Sequence, residues 1–129
     1  MSDINKLIGK TITKIEQKKF EDYYPGVQEL IFHCDTGEKY RMYHAQDCCE
    51  MVYLEDVVGD LSDLIGSPII RAEEVVSEDK TPDGIKEPDD PDSFTWTFYK
   101  LATRNGYVDL RWLGESNGYY SESVDFEKA

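Results

Sequence analysis

The sequence is short of positive charge. Lys and Arg number 14 against 27 Asp and Glu in 129 residues, for a formal net charge of −13. Proteins that grip a nucleic-acid backbone displace its counterions with a basic stripe. Direct backbone binding is therefore not expected, and anionic membrane surfaces are disfavoured on the same ground. Cysteine is scarce: Cys34, Cys48 and Cys49 make three, an odd count with two adjacent. A secreted disulfide framework shows an even number at wider spacing. No apolar run nears the ~20 residues of a membrane span. Residues 1–5 carry no basic segment leading into an apolar run, so no signal peptide is expected. These absences point to the cytoplasm. Also missing are a Gly-rich phosphate loop, a nucleophile elbow, a zincin helix and a Cys-x2-Cys pair. The expectation is a protein that is not an enzyme and needs no cofactor.

What is present is apolar and aromatic material. The apolar fraction is 40% and the aromatic fraction 12%, too high for a chain that is disordered throughout. The length predicts one domain over residues 1–129 with a core large enough to hold without staples. Acidity of this degree favours solubility. Where it has a binding role, it suits a protein partner with a basic surface, including a groove meant for DNA or RNA.

Alternation and turn signals predict an α+β domain, mainly antiparallel β-sheet with one or two short helices. Leu7-Ile8-Gly9 closes a helical turn, with Gly9 at its end. Strands follow at residues 11–16, 27–34 and 38–44, the last two joined by a hairpin at Asp35-Thr36-Gly37. Residues 45–58 read as a strand or an irregular buried segment. A short helix over residues 59–64 starts from Asp60 as N-cap, and a strand covers residues 69–77. Residues 78–93 hold Pro82, Pro88, Pro91 and seven acids, and read as a mobile surface loop. The strongest strand signal is Phe94, Trp96 and Phe98 alternating with Thr95, Thr97 and Tyr99. A hairpin at Arg104-Asn105-Gly106 leads to Val108, Leu110 and Trp112 on one face, and a last strand spans residues 119–126.

The two halves, residues 4–58 and 61–126, resemble each other. Leu7-Ile8-Gly9, Ile12 and Glu16 match Leu64-Ile65-Gly66, Ile69 and Glu73 at a constant offset of 57. Gly37 answers Gly106 at an offset of 69, the extra length falling in the acidic Pro-rich loop. Cys49-Glu50-Met51-Val52 then lines up with Ser121-Glu122-Ser123-Val124. One such unit cannot bury its own apolar face; two packed together can.

Candidate chemistry concentrates in two loops. His44, Cys48 and Cys34 are conceivable zinc ligands by residue type, although cysteines buried in a core are the commoner case. Glu115 and Glu122 with Asp47 and Glu50 offer carboxylates, as any chain this acidic does. The run Gly114-Glu115-Ser116-Asn117-Gly118-Tyr119-Tyr120-Ser121 combines glycines, amide and hydroxyl groups and two aromatics, a suitable wall for a flat ring. The candidate partner- or ligand-binding residues are Asp47, Glu50, Arg111, Glu115, Ser116, Asn117, Tyr119 and Tyr120.

The runs His44-Ala45-Gln46-Asp47-Cys48-Cys49-Glu50, Glu55-Asp56-Val57, Gly59-Asp60-Leu61, Leu64-Ile65-Gly66 and Glu73-Glu74 resemble a family of uncharacterised proteins from bacteriophages and prophages. So do Trp96-Thr97-Phe98-Tyr99, Gly106-Tyr107, Arg111-Trp112 and the run from Gly114 through Asn117-Gly118-Tyr119-Tyr120-Ser121-Glu122-Ser123-Val124. The resemblance carries no activity. It implies a mobile-element setting in a host cytoplasm, and with it an accessory protein that binds and inhibits a host factor, such as a nucleic-acid-handling defence enzyme. Two alternatives stand beside this: a sponge for a small nucleotide signal, and a metal-stabilised structural protein. A homodimer is compatible with each.

Overall fold

The computed structural model describes residues 3–88 and 92–129. Asp89, Asp90 and Pro91 of the acidic segment, and Met1 and Ser2 at the start, lie outside the described residues.

The chain folds as mainly antiparallel β-structure in two similar halves. The first half runs β1 (Ile12–Lys18), β2 (Glu29–Cys34), β3 (Lys39–Tyr43) and β4 (Met51–Val58). The second runs β5 (Arg71–Glu78), β6 (Ser93–Thr103), β7 (Gly106–Ser116) and β8 (Asp125–Lys128). Of the one or two short helices expected from sequence, the structure has two 3-10 turns, Asp3–Leu7 and Leu61–Leu64, and no α-helix occurs among the described residues. Each is too short to complete a stable α-helical ladder. Asp60 caps the second turn by accepting from the Ser62 N–H at 3.0 Å.

Each half gives its fourth strand to the other half's sheet. One sheet has the order β1-β2-β3-β8 and the other β4-β7-β6-β5. Exchanging the halves (β1 with β5, β2 with β6, β3 with β7, β4 with β8) converts one order into the other. The seam shows the same relation. Ile8 bridges Ile69 and Ile12 bridges Ile65. The Gly9 N–H donates to the Ile69 carbonyl at 2.8 Å, and the Gly66 N–H to the Ile12 carbonyl at 2.9 Å.

The main core draws from both sheets. Leu30, Phe32, Cys34, Tyr40 and Met42 of the first meet Val52, Leu54, Tyr99, Leu101, Val108, Leu110 and Trp112 of the second. These are the alternate positions of their strands, as the pleat requires. Trp112 is fully buried, and its indole N–H reaches the Met42 sulfur of the opposite sheet at 3.2 Å. A second cluster lies on the other face of the β4-β7-β6-β5 sheet and contains Tyr24, Tyr53, Phe94, Trp96, Phe98 and Leu113. That double burial explains why β6 reads as the strongest strand: it is covered on both faces.

The described part of the acidic Pro-rich segment covers this second cluster. Ile85 packs against it, and the Trp96 indole N–H donates to Thr81 Oγ1 at 3.0 Å. The segment read from sequence as a surface loop thus lies, at Thr81 and Ile85, against the aromatic face of β6. The hairpin at residues 104–105 also differs from its sequence reading. Gly106 already belongs to β7, pairs with Thr103 and is not in the left-handed region. It is glycine because a Cβ would meet Asp63 Oδ2 at 2.5 Å.

Candidate functional site

The strand exchange forces two crossovers, residues 44–50 from β3 to β4 and residues 117–124 from β7 to β8. Each is built around a buried glutamate, and these are the residues that align between the halves: Glu50, 2% exposed, and Glu122, 8% exposed. A buried carboxylate must be matched by donors. Glu50 receives the Asp47 N–H at 2.9 Å, the Cys48 N–H at 2.8 Å, the Gln46 amide at 3.2 Å and His44 Nε2 at 2.8 Å. Glu122 receives Thr95 Oγ1 at 2.7 Å and the Ser116 hydroxyl.

Burial by itself pushes the Glu50 carboxyl up. The bonds from His44 and from the Cys48 and Asp47 N–H groups outweigh it and hold it down at about 2. His44 Nδ1 in turn meets the Ser123 carbonyl at 2.7 Å, so both ring nitrogens face acceptors and the two crossovers are tied together. Gly114 makes the second crossover possible: a Cβ there would lie 2.5 Å from the Glu122 carbonyl oxygen.

The sequence-predicted site residues fall into three places. Asp47 and Glu50 belong to the first crossover, with Glu50 buried and the Asp47 residue exposed. Asn117, Tyr119 and Tyr120 belong to the second, and Ser116 ends β7 just before it. Asn117 Oδ1 is turned onto its own loop, accepting the Tyr119 N–H at 3.1 Å, and Tyr119 is 88% exposed. Arg111 and Glu115 sit on the face of β7 that carries Leu113, and Glu115 opposes Met51, the first residue of β4. Arg111 Nη2 lies 3.3 Å from Asp56, its Nε bonds Glu55, and the guanidinium stands 5.8 Å over the Trp96 ring. Burial pushes up the Tyr53 phenol to about 12, with Glu115 and Glu55 adding to it.

The zinc candidates are not brought together. Cys34 is buried on β2 in the main core, where burial pushes its thiol up. Cys48 and Cys49 are exposed and joined to each other as a disulfide, which corrects the expectation of core cysteines. His44 has both nitrogens engaged, and no group of three metal-binding side chains occurs among the described residues.

The feature that sequence reasoning missed is an open groove beside the second crossover. Glu74 and Glu78 of β5, Asp79 and Glu122 line it, above a floor that includes Thr95 and Thr97. It shares Glu74 and Val124 with a neighbouring groove lined by Asp3, Asp125 and Glu127. Seven carboxyl side chains thus face one continuous trough, and no Lys or Arg lines it among the described residues. Burial above all, with Glu74 beside it, pushes the Tyr99 phenol up at its floor.

A family model for a domain of unknown function, DUF7448, matches residues 5–126. This chain belongs to the DUF7448 family. The match takes in both halves and both crossovers, so the exchanged pair of sheets is the unit to which the family name applies. No curated protein and no solved structure matches the chain. No helix among the described residues is long and apolar enough to cross a membrane.

Proposed function

We propose that this DUF7448 protein is a non-enzymatic binding protein that occupies and blocks a basic surface on a partner protein. The trough of seven carboxyl groups with no lining cation carries this reading. A field of one sign, focused in a concave surface, attracts and orients an oppositely charged partner. The partner we have in view is a host factor, a nucleic-acid-handling defence enzyme whose basic groove the acidic surface fills. The setting is the cytoplasm of a cell carrying a phage or prophage, as the resemblance of the loop motifs implies. A nucleotide sponge is the weaker reading. Its phosphates would face carboxylates, and two arginines suited to them are already held: Arg111 by Glu55 and Asp56, Arg41 by Glu29 and Glu127.

The test is a binding titration against a small, folded, basic protein at rising salt. Affinity should fall steeply from about 50 to 300 mM salt as exposed charges are screened. Salt-independent binding, or none at low salt, would remove the proposal.

A further inference from the structure

Strand β5 is the outer strand of its sheet, with β6 as its strand partner. The register decides which of its backbone groups are used. The Asp79 N–H reaches the Phe94 carbonyl at 2.7 Å, continuing the register that opposes Glu78 to Thr95 and Ser77 to Trp96. Opposed residues in an antiparallel pair alternate between exchanging both hydrogen bonds and exchanging none. Counting back from Asp79, the backbones of Ser77, Val75 and Glu73 turn toward β6. Those of Glu74, Val76 and Glu78 turn outward. The side chains of the same three residues line the acidic trough. Val75 and Val76 stand 44% and 48% exposed on this edge.

From this we infer that β5 is a docking edge to which an extended Lys- or Arg-rich segment of the partner adds as a further strand. The inference rests on the basic-partner reading above and specifies how the contact is made. Main-chain bonds to Glu74, Val76 and Glu78 would supply affinity. Alternate side chains of the added strand would face the trough, so cations at every second position meet Glu74, Glu78 and Asp79. Charge also decides against a second copy of this chain as the occupant. Two β5 edges paired antiparallel about Val76 would set Glu74 opposite Glu78 and Glu73 opposite Asp79, and like charges directly opposite on paired strands are destabilising.

The probe is a fluorescein-labelled peptide of about ten residues alternating Lys and Thr. Its control is the same peptide N-methylated at alternate residues, which keeps the charge and removes the donors of one edge. Binding is read by anisotropy, and amide hydrogen exchange of the wild-type protein is followed at Glu74, Val76 and Glu78. A Val76→Pro variant removes one outward donor at a strand edge, where proline is tolerated. The expected result is slowed exchange at those three amides, with binding about tenfold or more weaker for the methylated peptide and for Val76→Pro. If Val76→Pro does not fold, the exchange data and the methylated peptide decide alone. Equal binding of both peptides with unchanged exchange would overturn the docking edge and leave the acidic-surface reading standing. Binding of the folded basic protein without binding of the peptide would overturn the docking edge in the same way. Failure of both probes to bind would overturn both readings.

Discussion

Replacing Glu50 with Gln keeps the size of the side chain and removes its charge. In the wild type this carboxylate is wholly buried beside the nearly buried His44, and it gathers donors from His44, Gln46, Asp47 and Cys48. Its pKa lies at about 2 against an ordinary 4.5. Each pKa unit corresponds to about 1.4 kcal/mol, so about 3 kcal/mol of stability depends on the ionised form. The folded value lies below the unfolded one. The contribution is therefore complete above the unfolded value of 4.5 and is lost as pH falls toward 2. Urea unfolding of wild type and variant across a pH series measures this. Near neutral pH the variant should be less stable by about 3 kcal/mol, or roughly 10 °C in Tm. The gap should close as the solution is taken below about pH 3. Equal stability at neutral pH, or a gap that does not change with pH, would refute the account of the crossover.

Three further outcomes follow. Gly114→Ala should cost about 1–3 kcal/mol in chemical denaturation, because its Cβ would be driven against the Glu122 backbone at 2.5 Å; an unchanged midpoint would mean that the second crossover is loosely held. Trp112→Ala should cost about 3–5 kcal/mol because the side chain is fully buried, whereas Tyr119→Ala, at an 88% exposed position, should leave stability within about 0.5 kcal/mol. Thiol titration of unreduced protein under denaturing conditions should find one reactive cysteine, Cys34, with Cys48 and Cys49 joined; three would show that the vicinal bond does not form.

The fold was legible where one periodicity acted alone. Leu30-Phe32-Cys34 and Val108-Leu110-Trp112 alternate and face the main core as alternation demands. It was illegible where long-range pairing decides. Nothing local in residues 51–58 says that β4 leaves its own half to pair with β7, since that partner is more than fifty residues away in sequence. The sequence places the start of the last strand at residue 119, whereas it begins at Asp125, because residues 117–124 are used in crossing between sheets. Gly106 looked like a turn glycine and is instead a point of close approach. At the site, the sequence aligns Glu50 with Glu122, but their burial shows only in the fold. The trough did not show in the sequence, because Glu74 and Glu78 on β5, Asp125 on β8 and Asp3 in the first turn meet only through the order of strands.

The most direct test of the proposed role compares where neutralised charge matters. A folded basic protein is titrated into wild type, a Glu74→Gln/Glu78→Gln variant, and an Asp22→Asn/Asp35→Asn variant altered at exposed acids outside the trough. The trough variant should bind roughly fivefold or more weakly, and the control should change by less than about twofold, given the strength of exposed ion pairs. Equal losses in the two variants, or none in either, would mean that net charge alone is acting and that the trough is not the binding surface.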